Sequence, residues 1–337
     1  MKAAIFNPYL DTLGGGERYT MAIATALLKN NYVVDVEWKD NEIKEKLEKR
    51  FGIDLKKINF VKDIKRGDGY DICFWVSDGS VPALRARKNF LHFQVPFQRV
   101  NGQSLLNKFK LMRINKIIVN SNFTKNIIDK EFGINSFVLY PPVAVDDFKG
   151  KKKENIILNV ARFSNLMQNK RQDVLIKTFA AFSKANESYK LVLAGGIEVG
   201  AEEYVKELTL QIKDYPIEII KSPDFKTLKD LYSKAKIFWS ASGFGSDTPQ
   251  KKEHFGITVV EAMAASCVPV IFNDGGHREI VQNTVNGFLW DDAHELYRYT
   301  KKILDDESLR KQMALFASKT AQNFSYEEFE EKFKQLI

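Results

Sequence analysis

Two carboxylates, Glu253 and Glu261, stand eight residues apart around a glycine turn in the segment Glu-His-Phe-Gly-Ile-Thr-Val-Val-Glu. Gly256 and Ile257 should open a helix, and the first amides of a helix lack intrahelical partners and carry partial positive charge. They are a natural seat for an anion. If a phosphate binds at Gly256, Ile257 and Thr258, the carboxylates can reach polar groups on either side of it. The spacing therefore predicts a ligand with a central diphosphate and hydroxyl groups at both ends.

These two glutamates also have a purely structural interpretation. Glu261 would then be a solvated helix residue, and Glu253 would belong to the charge run Lys-Lys-Glu. Against this, Glu261 is flanked by two valines, an alanine and a methionine. A carboxylate buried among such groups without a partner costs on the order of several kcal/mol, so we expect Glu261 to have a polar partner.

Arg162 and Lys170 form a second candidate anion site. Arg162 follows the apolar run at 155–161 directly, and Lys170 lies just before a predicted helix at 174–185. An arginine fork and a lysine point charge on a strand-to-helix loop can neutralise a diphosphate. As two surface charges they would be unremarkable, and their spacing leaves both interpretations open.

The elements that position these residues alternate between strands and helices. A chain of 337 residues is long enough for two domains, each with its own core. Alternating elements favour parallel sheets covered on both faces, with ligands at the carboxyl ends of the strands. We place the linker in the polar stretch at 149–154. The predicted organisation is an α/β chain with domains at 1–148 and 149–325 and a closing helix at 326–337.

Composition excludes several classes of protein. Apolar content of 44% with 28% charged residues is ordinary for a soluble chain, and no run of 18 apolar residues could span a membrane. The start has too short an apolar run for a signal peptide, so we expect a cytoplasmic protein. Cys73 and Cys267 lie in apolar surroundings and should be reduced. Two cysteines and four histidines at these spacings cannot assemble a metal cluster, and we expect no metal cofactor.

The net charge of +8 is concentrated in the first half of the chain. Residues 1–150 contain 24 Lys and Arg against 17 Asp and Glu, and no acidic residue occurs between Asp78 and Asp129. Nine positive charges lie within that stretch. Such a one-signed segment indicates an anionic surface or ligand nearby.

Within this segment, apolar side chains recur at helical spacing between lysines. These are Leu105, Leu106, Phe109 and Met112, followed by Arg113. Either the helix lies on an anionic membrane at the inner face, or its apolar stripe is core and its lysines are solvated. The sequence does not decide between the two.

Two further candidates lie in the first half. Gly14, Gly15 and Gly16 form a strand-to-helix turn that permits close approach of a ligand, although it is neither a dinucleotide fingerprint nor a Walker loop. His92 ends the apolar strand at 90–93. A lone histidine in an apolar strand is more often a core residue than a catalyst.

Taken together, these motifs resemble the retaining glycosyltransferases of family 4. The resemblance rests on Glu-His-Phe-Gly-Ile-x-Val-Val-Glu-Ala-Met-Ala, Pro-Val, Asp274-Gly-Gly-x-x-Glu279-Ile-Val and Asn286-Gly-Phe288. Asn-Pro-Tyr with Gly-Gly-Gly-Glu-Arg is similar to the opening of the subgroup that includes α-1,2-mannosyltransferases building lipid-linked oligosaccharide. The resemblance implies the GT-B fold, in which two Rossmann-like domains face across a cleft.

The resemblance also implies a role for each candidate residue. His92 would face the reacting sugar and, with Glu253, act in catalysis. The donor diphosphate would be held, and stabilised as it leaves, without a metal. The positions are Arg162, Lys170, Gly256, Ile257 and Thr258 for the diphosphate; Glu253, Phe255 and Glu261 for the donor sugar and ribose; and Gly14, Gly15 and Gly16 for the loop at the cleft.

The implied donor is GDP-mannose or a UDP- or dTDP-sugar, and the implied acceptor is a glycan or a lipid-linked glycan. An anionic membrane surface is a candidate partner and nucleic acid is not. Three alternatives remain open: a nucleotide-sugar epimerase of the same architecture, a glycoside hydrolase with two opposed carboxylates, and a non-catalytic nucleotide-sugar-binding protein.

Overall fold

The computed structural model describes residues 1–148, 152–164 and 168–337. The chain divides into two compact units, the first made of Met1–Pro142 with Tyr326–Ile337 and the second of Val143–Ser325. The boundary expected from the sequence, at 149, differs because Phe148 already packs on Phe225 and Tyr232 of the second unit. Part of the predicted linker, at 149–151, lies outside the described residues.

The first unit is built on a parallel sheet. Its strands, among the described residues, are β1 (Lys2–Phe6), β2 (Val33–Glu37), β3 (Ile58–Val61), β4 (Ile72–Val76), β5 (Lys88–Phe93), β6 (Lys116–Val119) and β7 (Phe137–Val138). They lie in the order β3-β2-β1-β4-β5-β6-β7. The helices between them are α1 (Gly15–Lys29), α2 (Glu42–Phe51), α3 (Leu105–Leu111) and α4 (Asn122–Phe132).

The second unit repeats this plan after residue 152. Its described strands are β8 (Glu154–Val160), β9 (Lys190–Gly195), β10 (Ile217–Lys221), β11 (Ala235–Ser240), β12 (Val268–Phe272) and β13 (Phe288–Trp290), in the order β10-β9-β8-β11-β12-β13. Its helices are α5 (Gln172–Ser183), α6 (Glu202–Gln211), α7 (Phe225–Lys234), α8 (Ile257–Ala264), α9 (His277–Ile280), α10 (Ala293–Asp305) and α11 (Glu307–Ala321).

The last helix, α12 (Tyr326–Lys334), belongs to the first unit. Phe329 lies 5.5 Å from the ring of Tyr19, edge to face, and joins the same buried cluster as Phe333. Lys29 of α1 binds Glu330 at 2.6 Å. The chain therefore begins and ends in the same unit.

Both sheets are buried on both faces, as parallel sheets usually are. In β1, the residues Ala3, Ala4 and Ile5 are all fully buried. The consecutive residues Ala3 and Ala4 join different core clusters, on opposite faces of the sheet. Near-continuous apolar runs can satisfy two such faces, which is why strand positions were readable from the sequence. The predicted α/β fold with two parallel sheets is confirmed.

Helix α3 departs from this pattern because it contains no buried residue. The sequence left open that its apolar stripe was core, and that alternative is wrong. Of its apolar residues, Leu111 is partly buried and packs, with the neighbouring Ile114, against the cluster that contains Val119 and Ile128. Among the described helices, none is both long and apolar enough to cross a bilayer.

Candidate functional site

The loops that follow the strands of the second sheet carry the candidate site. Arg162 follows β8, Glu198 follows β9 and Asp274 follows β12, while Glu253 lies on the long connection from β11 to α8. Because parallel strands end at the same edge of a sheet, these loops share one side of the second unit. The predicted diphosphate-binding residues therefore belong to neighbouring loops.

Helix α8 begins at a glycine that no other residue would replace without strain. Gly256 has a φ of 115°, and its carbonyl accepts the amides of Val259 and Val260 at 3.0 and 3.3 Å. The amides of Ile257 and Thr258 precede these, so they have no acceptor inside the helix. Both residues are partly exposed. The helix start has the geometry expected of an anion-binding site, and the identity of its ligand stays a prediction.

Lys170 and Glu253 form an ion pair beside this helix start. The ammonium lies 2.8 Å from Oε2 of Glu253, and the two side chains are only 11% and 17% exposed. Burial is the largest single influence and acts to raise the pKa of Glu253, but the charge and hydrogen bond of Lys170 together with the nearby His277 and His254 outweigh it and lower the pKa to about 2. Glu253 is therefore an ionised hydrogen-bond acceptor at any physiological pH.

The Lys170 ammonium has more donor capacity than this pair uses. Besides Glu253, it donates to Oε1 of Gln168 at 3.3 Å. An ammonium carries three N–H groups, and within the described residues these two side chains are its hydrogen-bond partners. Lys170 can thus bind an anionic oxygen without giving up Glu253.

Arg162 also has an acidic partner, which the sequence did not reveal. Its Nη1 lies 3.7 Å from Oε1 of Glu198, and Glu198 accepts a hydrogen bond from the hydroxyl of Ser164 as well. The Arg162 side chain is 41% exposed. The segment Gly-Gly-Ile-Glu after β9 was a detectable signal, since it places a carboxylate just beyond a strand end.

The motif Asp274-Gly-Gly holds the backbone of Glu253 in place. Gly276 donates its amide to the Glu253 carbonyl at 2.8 Å, and a Cβ at Gly275 would lie 2.2 Å from that same oxygen. Asp274 pairs with Lys252 at 2.6 Å. No role for this motif could be predicted from the sequence. In the structure it supports the loop that carries Glu253.

Glu261 is buried and bound to a tyrosine. The hydroxyl of Tyr232 donates to Oε2 at 2.9 Å, and Tyr232 is itself buried. The expectation that Glu261 has a polar partner is confirmed, and the alternative of a solvated helix residue is wrong. Contact with a ribose stays a prediction.

The ring of Phe255 does not lie on an open surface. It is buried and packs edge to face on Phe324 at 5.3 Å. The backbone of Phe255 lies close to Gly276, and contact of Phe255 with the donor sugar or ribose stays a prediction.

The glycine turn of the first unit serves local packing. Gly14 precedes α1 and donates its amide to Oε2 of Glu17 at 2.7 Å, and Thr12 donates to the same oxygen at 2.6 Å. A Cβ at Gly16 would lie 2.1 Å from the amide oxygen of Gln94. A carboxylate of the chain itself therefore occupies the start of α1, and any role of Gly14, Gly15 and Gly16 toward a ligand stays a prediction.

His92 is a core residue of the first unit, as the structural interpretation of a lone strand histidine held. It is 1% exposed, stacks on Tyr19 at 4.5 Å, and its Nδ1 lies 3.1 Å from the carbonyl of Ile118. Its Nε2 has no hydrogen-bond partner among the described residues. Burial lowers the pKa of His92 to about 3, so the ring is neutral. Contact of His92 with a sugar stays a prediction.

This buried histidine predicts an acid-sensitive first unit. The folded chain holds the ring neutral down to pH 3, whereas the unfolded chain takes up a proton near pH 6.5. The free energy of unfolding should therefore fall by up to about 1.4 kcal/mol per pH unit from pH 6.5 toward pH 3. Above pH 6.5 the ring is neutral in both the folded and the unfolded chain, so His92 does not lower the free energy of unfolding there. His92→Phe should remove this one-proton slope.

The measurement is urea unfolding of wild type and variant at several pH values. His294→Gln is the matched control, because His294 is exposed on α10 and its replacement leaves the core of the first unit unchanged. An identical pH slope in wild type and His92→Phe would contradict the buried neutral ring.

Comparison with known proteins decides the family. The profile of the family described as "Glycosyl transferases group 1" matches residues 145–320, which is more than half of the chain. The chain belongs to this family. The resemblance seen in the motifs is thereby confirmed, and the matched range contains every candidate residue of the second unit.

This group 1 glycosyltransferase is similar to curated mannosyltransferases. It is 30% identical over 246 residues to the "GDP-Man:Man(3)GlcNAc(2)-PP-Dol alpha-1,2-mannosyltransferase" of Dictyostelium discoideum, covering 66% of this chain and 46% of the relative. It is 26% identical over 250 residues to the "Alpha-1,3/1,6-mannosyltransferase ALG2" of Mus musculus, covering 66% and 58%. The chain spans about half the length of the curated relatives it matches.

Solved structures show the fold. An Anabaena protein, HepE, crystallised with UDP, has a TM-score of 0.80 and 19% identity, with 99% of both chains covered. A glycosyltransferase from Rickettsia africae has a TM-score of 0.79 and 20% identity, covering 99% of this chain and 97% of that one. With the two parallel sheets, these similarities confirm the GT-B fold class.

Proposed function

We propose that this group 1 glycosyltransferase moves a hexose from a nucleoside diphosphate sugar to a hydroxyl of a glycan or lipid-linked acceptor. The observation that carries the proposal is the buried pair of Lys170 and Glu253 beside the start of α8. It combines a cation for the diphosphate with a fixed carboxylate for sugar hydroxyls. The amides of Ile257 and Thr258 add donors for phosphate oxygens.

The chemical step places the largest demand on the departing diphosphate. As the bond between the anomeric carbon and the phosphate oxygen breaks, negative charge grows on that oxygen, and preorganised cations and amides are worth most at that moment. Lys170, Arg162 and the start of α8 supply such groups. We propose that these groups act without a metal.

Glu253 acts as a binding and orienting group in this scheme. Its low pKa and its tie to Lys170 make it a weak base, so it accepts hydrogen bonds from sugar hydroxyls. The acceptor oxygen bonds to the anomeric carbon on the face that the diphosphate leaves. The acceptor's proton passes to the leaving phosphate oxygen, and the product retains its anomeric configuration.

GDP-mannose is the proposed donor, and a glycan on a lipid pyrophosphate is the proposed acceptor. Support comes from the curated relatives, which are named as mannosyltransferases, and from the lipid-linked acceptor in the name of the Dictyostelium relative. UDP in the Anabaena structure concerns a protein with 19% identity, a level at which only the fold is shared. GDP-mannose should therefore stabilise this chain more than UDP- or dTDP-sugars do.

Thermal unfolding with a panel of nucleotide-sugars tests the donor. At a ligand concentration of about 100 times Kd, the true donor should add about 2.7 kcal/mol to the free energy of unfolding. With that donor and a lipid-linked glycan acceptor, NMR of the product should show retention at the anomeric carbon. A chelator should leave the rate unchanged.

Three outcomes would count against the proposal. Conversion of the donor to an isomer without acceptor would indicate an epimerase. Cleavage of a glycoside without nucleotide would indicate a hydrolase. Stabilisation by the donor with no turnover on any acceptor would indicate a binding protein.

A further inference from the structure

Helix α3 presents large apolar side chains to solvent. Leu105, Leu106, Phe109 and Met112 are 77%, 65%, 70% and 81% exposed. Side chains three and four positions apart on a helix are neighbours, so the four form one continuous patch. We call these four residues the α3 patch. A contiguous apolar patch on one helix usually marks an interaction site.

The α3 patch is separate from the side of the helix that attaches it to the protein. At about 100° per residue, the four side chains span an arc of roughly 120°, whereas Leu111 points to the opposite side. Leu111 packs against the apolar cluster under the sheet. The patch is therefore not needed for holding α3 in place.

Hydrogen bonds fix α3 at both ends. Ser104 caps the helix by accepting the amide of Asn107 at 3.3 Å, and the Asn107 side chain donates to the carbonyl of Asn101 at 3.0 Å. Just beyond the helix, Nε of Arg113 donates to the carbonyl of Leu84 at 3.2 Å. The patch is thus displayed by an anchored helix.

The charged residues on α3 and directly after it are all positive. Lys108 and Lys110 border its two edges, and Arg113 lies within the arc. In the described part of the chain, none of these three cations pairs with a carboxylate. Lys116, at the start of β6, and Lys88, at the start of β5, lie beyond the helix at the same end of the paired strands.

This charge pattern favours an anionic lipid surface over a second copy of the chain as the binding partner of the α3 patch. Two copies of the patch in a symmetric contact would bring lysines against lysines, and like charges would oppose the contact. An anionic lipid surface offers both an apolar interior for the patch and negative charge for its rim.

We propose that the α3 patch inserts into the interface of an anionic lipid membrane, with Lys108, Lys110 and Arg113 bound to the headgroup phosphates. The two contributions act together, because four apolar side chains supply insertion and the flanking cations supply attraction. The inference does not depend on the transferase activity, since the second unit and its ligand take no part in it.

Sedimentation of the full chain with lipid vesicles tests the proposal. The wild type should sediment with vesicles of phosphatidylcholine and phosphatidylglycerol, and not with phosphatidylcholine alone. Leu106→Ser with Phe109→Ser should lower the partition coefficient at least about tenfold. Lys108→Gln with Lys110→Gln should lower it about fivefold per charge, and salt should reproduce that loss.

Matched controls come from other exposed sites on the same chain. Leu210→Ser with Leu315→Ser removes two exposed apolar side chains on α6 and α11. Lys49→Gln with Arg50→Gln removes two exposed cations from α2 of the first unit. Neither control should change the partition coefficient. Lys110 is partly buried and the other substituted positions are exposed, so the melting temperature should stay near that of the wild type.

A site-specific probe reads insertion directly. Cys73 and Cys267 are both buried, so a thiol-reactive, polarity-sensitive dye should label Met112→Cys selectively. Its emission should shift to the blue with the anionic vesicles. The same dye at Leu210→Cys should not shift.

Several results would overturn the inference. One is the absence of binding to anionic vesicles by the wild type. Another is binding that the α3 substitutions leave unchanged, which would place the lipid contact elsewhere. Concentration-dependent self-association that these substitutions abolish, with no lipid effect, would assign the patch to a second copy. Donor stabilisation is measured without vesicles, so its failure and the failure of this inference are separate results.

Discussion

Lys170→Met is expected to abolish stabilisation by the donor and to lower kcat/KM by about 10²–10³-fold. The substitution removes the cation that is 2.8 Å from Glu253, and it leaves that carboxylate buried without its counter-ion. Breaking a buried pair in this way costs about 3–5 kcal/mol of stability. Loss of activity alone could therefore reflect a weakened fold, and the experiment needs a variant that separates the two effects.

The double variant Lys170→Met with Glu253→Gln provides this separation. Removing both charges leaves no uncompensated carboxylate, so the free energy of unfolding should return toward that of the wild type. Donor binding and turnover should stay lost, because neither the cation nor the carboxylate is restored. Recovered turnover in the double variant would show that the pair is structural.

The matched control is Lys190→Met in the same unit. Lys190 pairs with Glu218 at 3.2 Å, but the two side chains are 46% and 51% exposed. Exposed pairs contribute at most about 1 kcal/mol, so stability and donor binding should be nearly unchanged. Undiminished donor stabilisation in Lys170→Met would mean that the diphosphate binds elsewhere.

Gly275→Ala is expected to lower both stability and donor affinity, because it displaces the backbone of Glu253. Gly275 has a φ of 58°, and an added Cβ would lie 2.2 Å from the carbonyl oxygen of Glu253. The left-handed conformation costs an alanine about 1 kcal/mol, and the clash should add about 1–3 kcal/mol. The backbone of Glu253 must shift to relieve it, so donor affinity should fall together with stability.

Gly196→Ala is the control for this prediction. No atom lies within 4 Å of a Cβ built at Gly196, and its φ lies outside the left-handed region. Its melting temperature and donor stabilisation should match the wild type within error. If Gly275→Ala kept full donor affinity despite lower stability, the Asp274-Gly-Gly motif would support the fold without positioning Glu253.

Parts of the candidate site were predictable because charged residue types indicate which interactions they can make. Lys170 and Glu253 come from separate motifs, and the structure brings them into contact as a buried pair. Glu261 was predicted to have a partner, because a carboxylate among apolar residues requires one. The identity of that partner, Tyr232, could not be predicted, since it lies on α7 and reaches α8 only through the fold.

Other features of the candidate residues were not predictable, because burial is not readable from residue type. His92 and Phe255 stand in motifs that resemble the family's, yet both side chains point into apolar cores. Whether a side chain at a strand end faces a ligand or the core depends on how the neighbouring helices cover the sheet. Glu198 was missed for a related reason, because its partner Arg162 follows a different strand.

The α/β class, the two parallel sheets and the family could be predicted from the amino-acid sequence, which also supplied the residues proposed to bind a diphosphate. This was possible because strand periodicity, glycine turns and charged motifs are local properties of the chain. Which cations are paired, which candidate rings are buried and that the α3 patch is exposed became visible only in the folded chain. Burial and ion pairing are set by contacts between residues far apart in sequence, and those contacts exist only once the sheets and helices have packed.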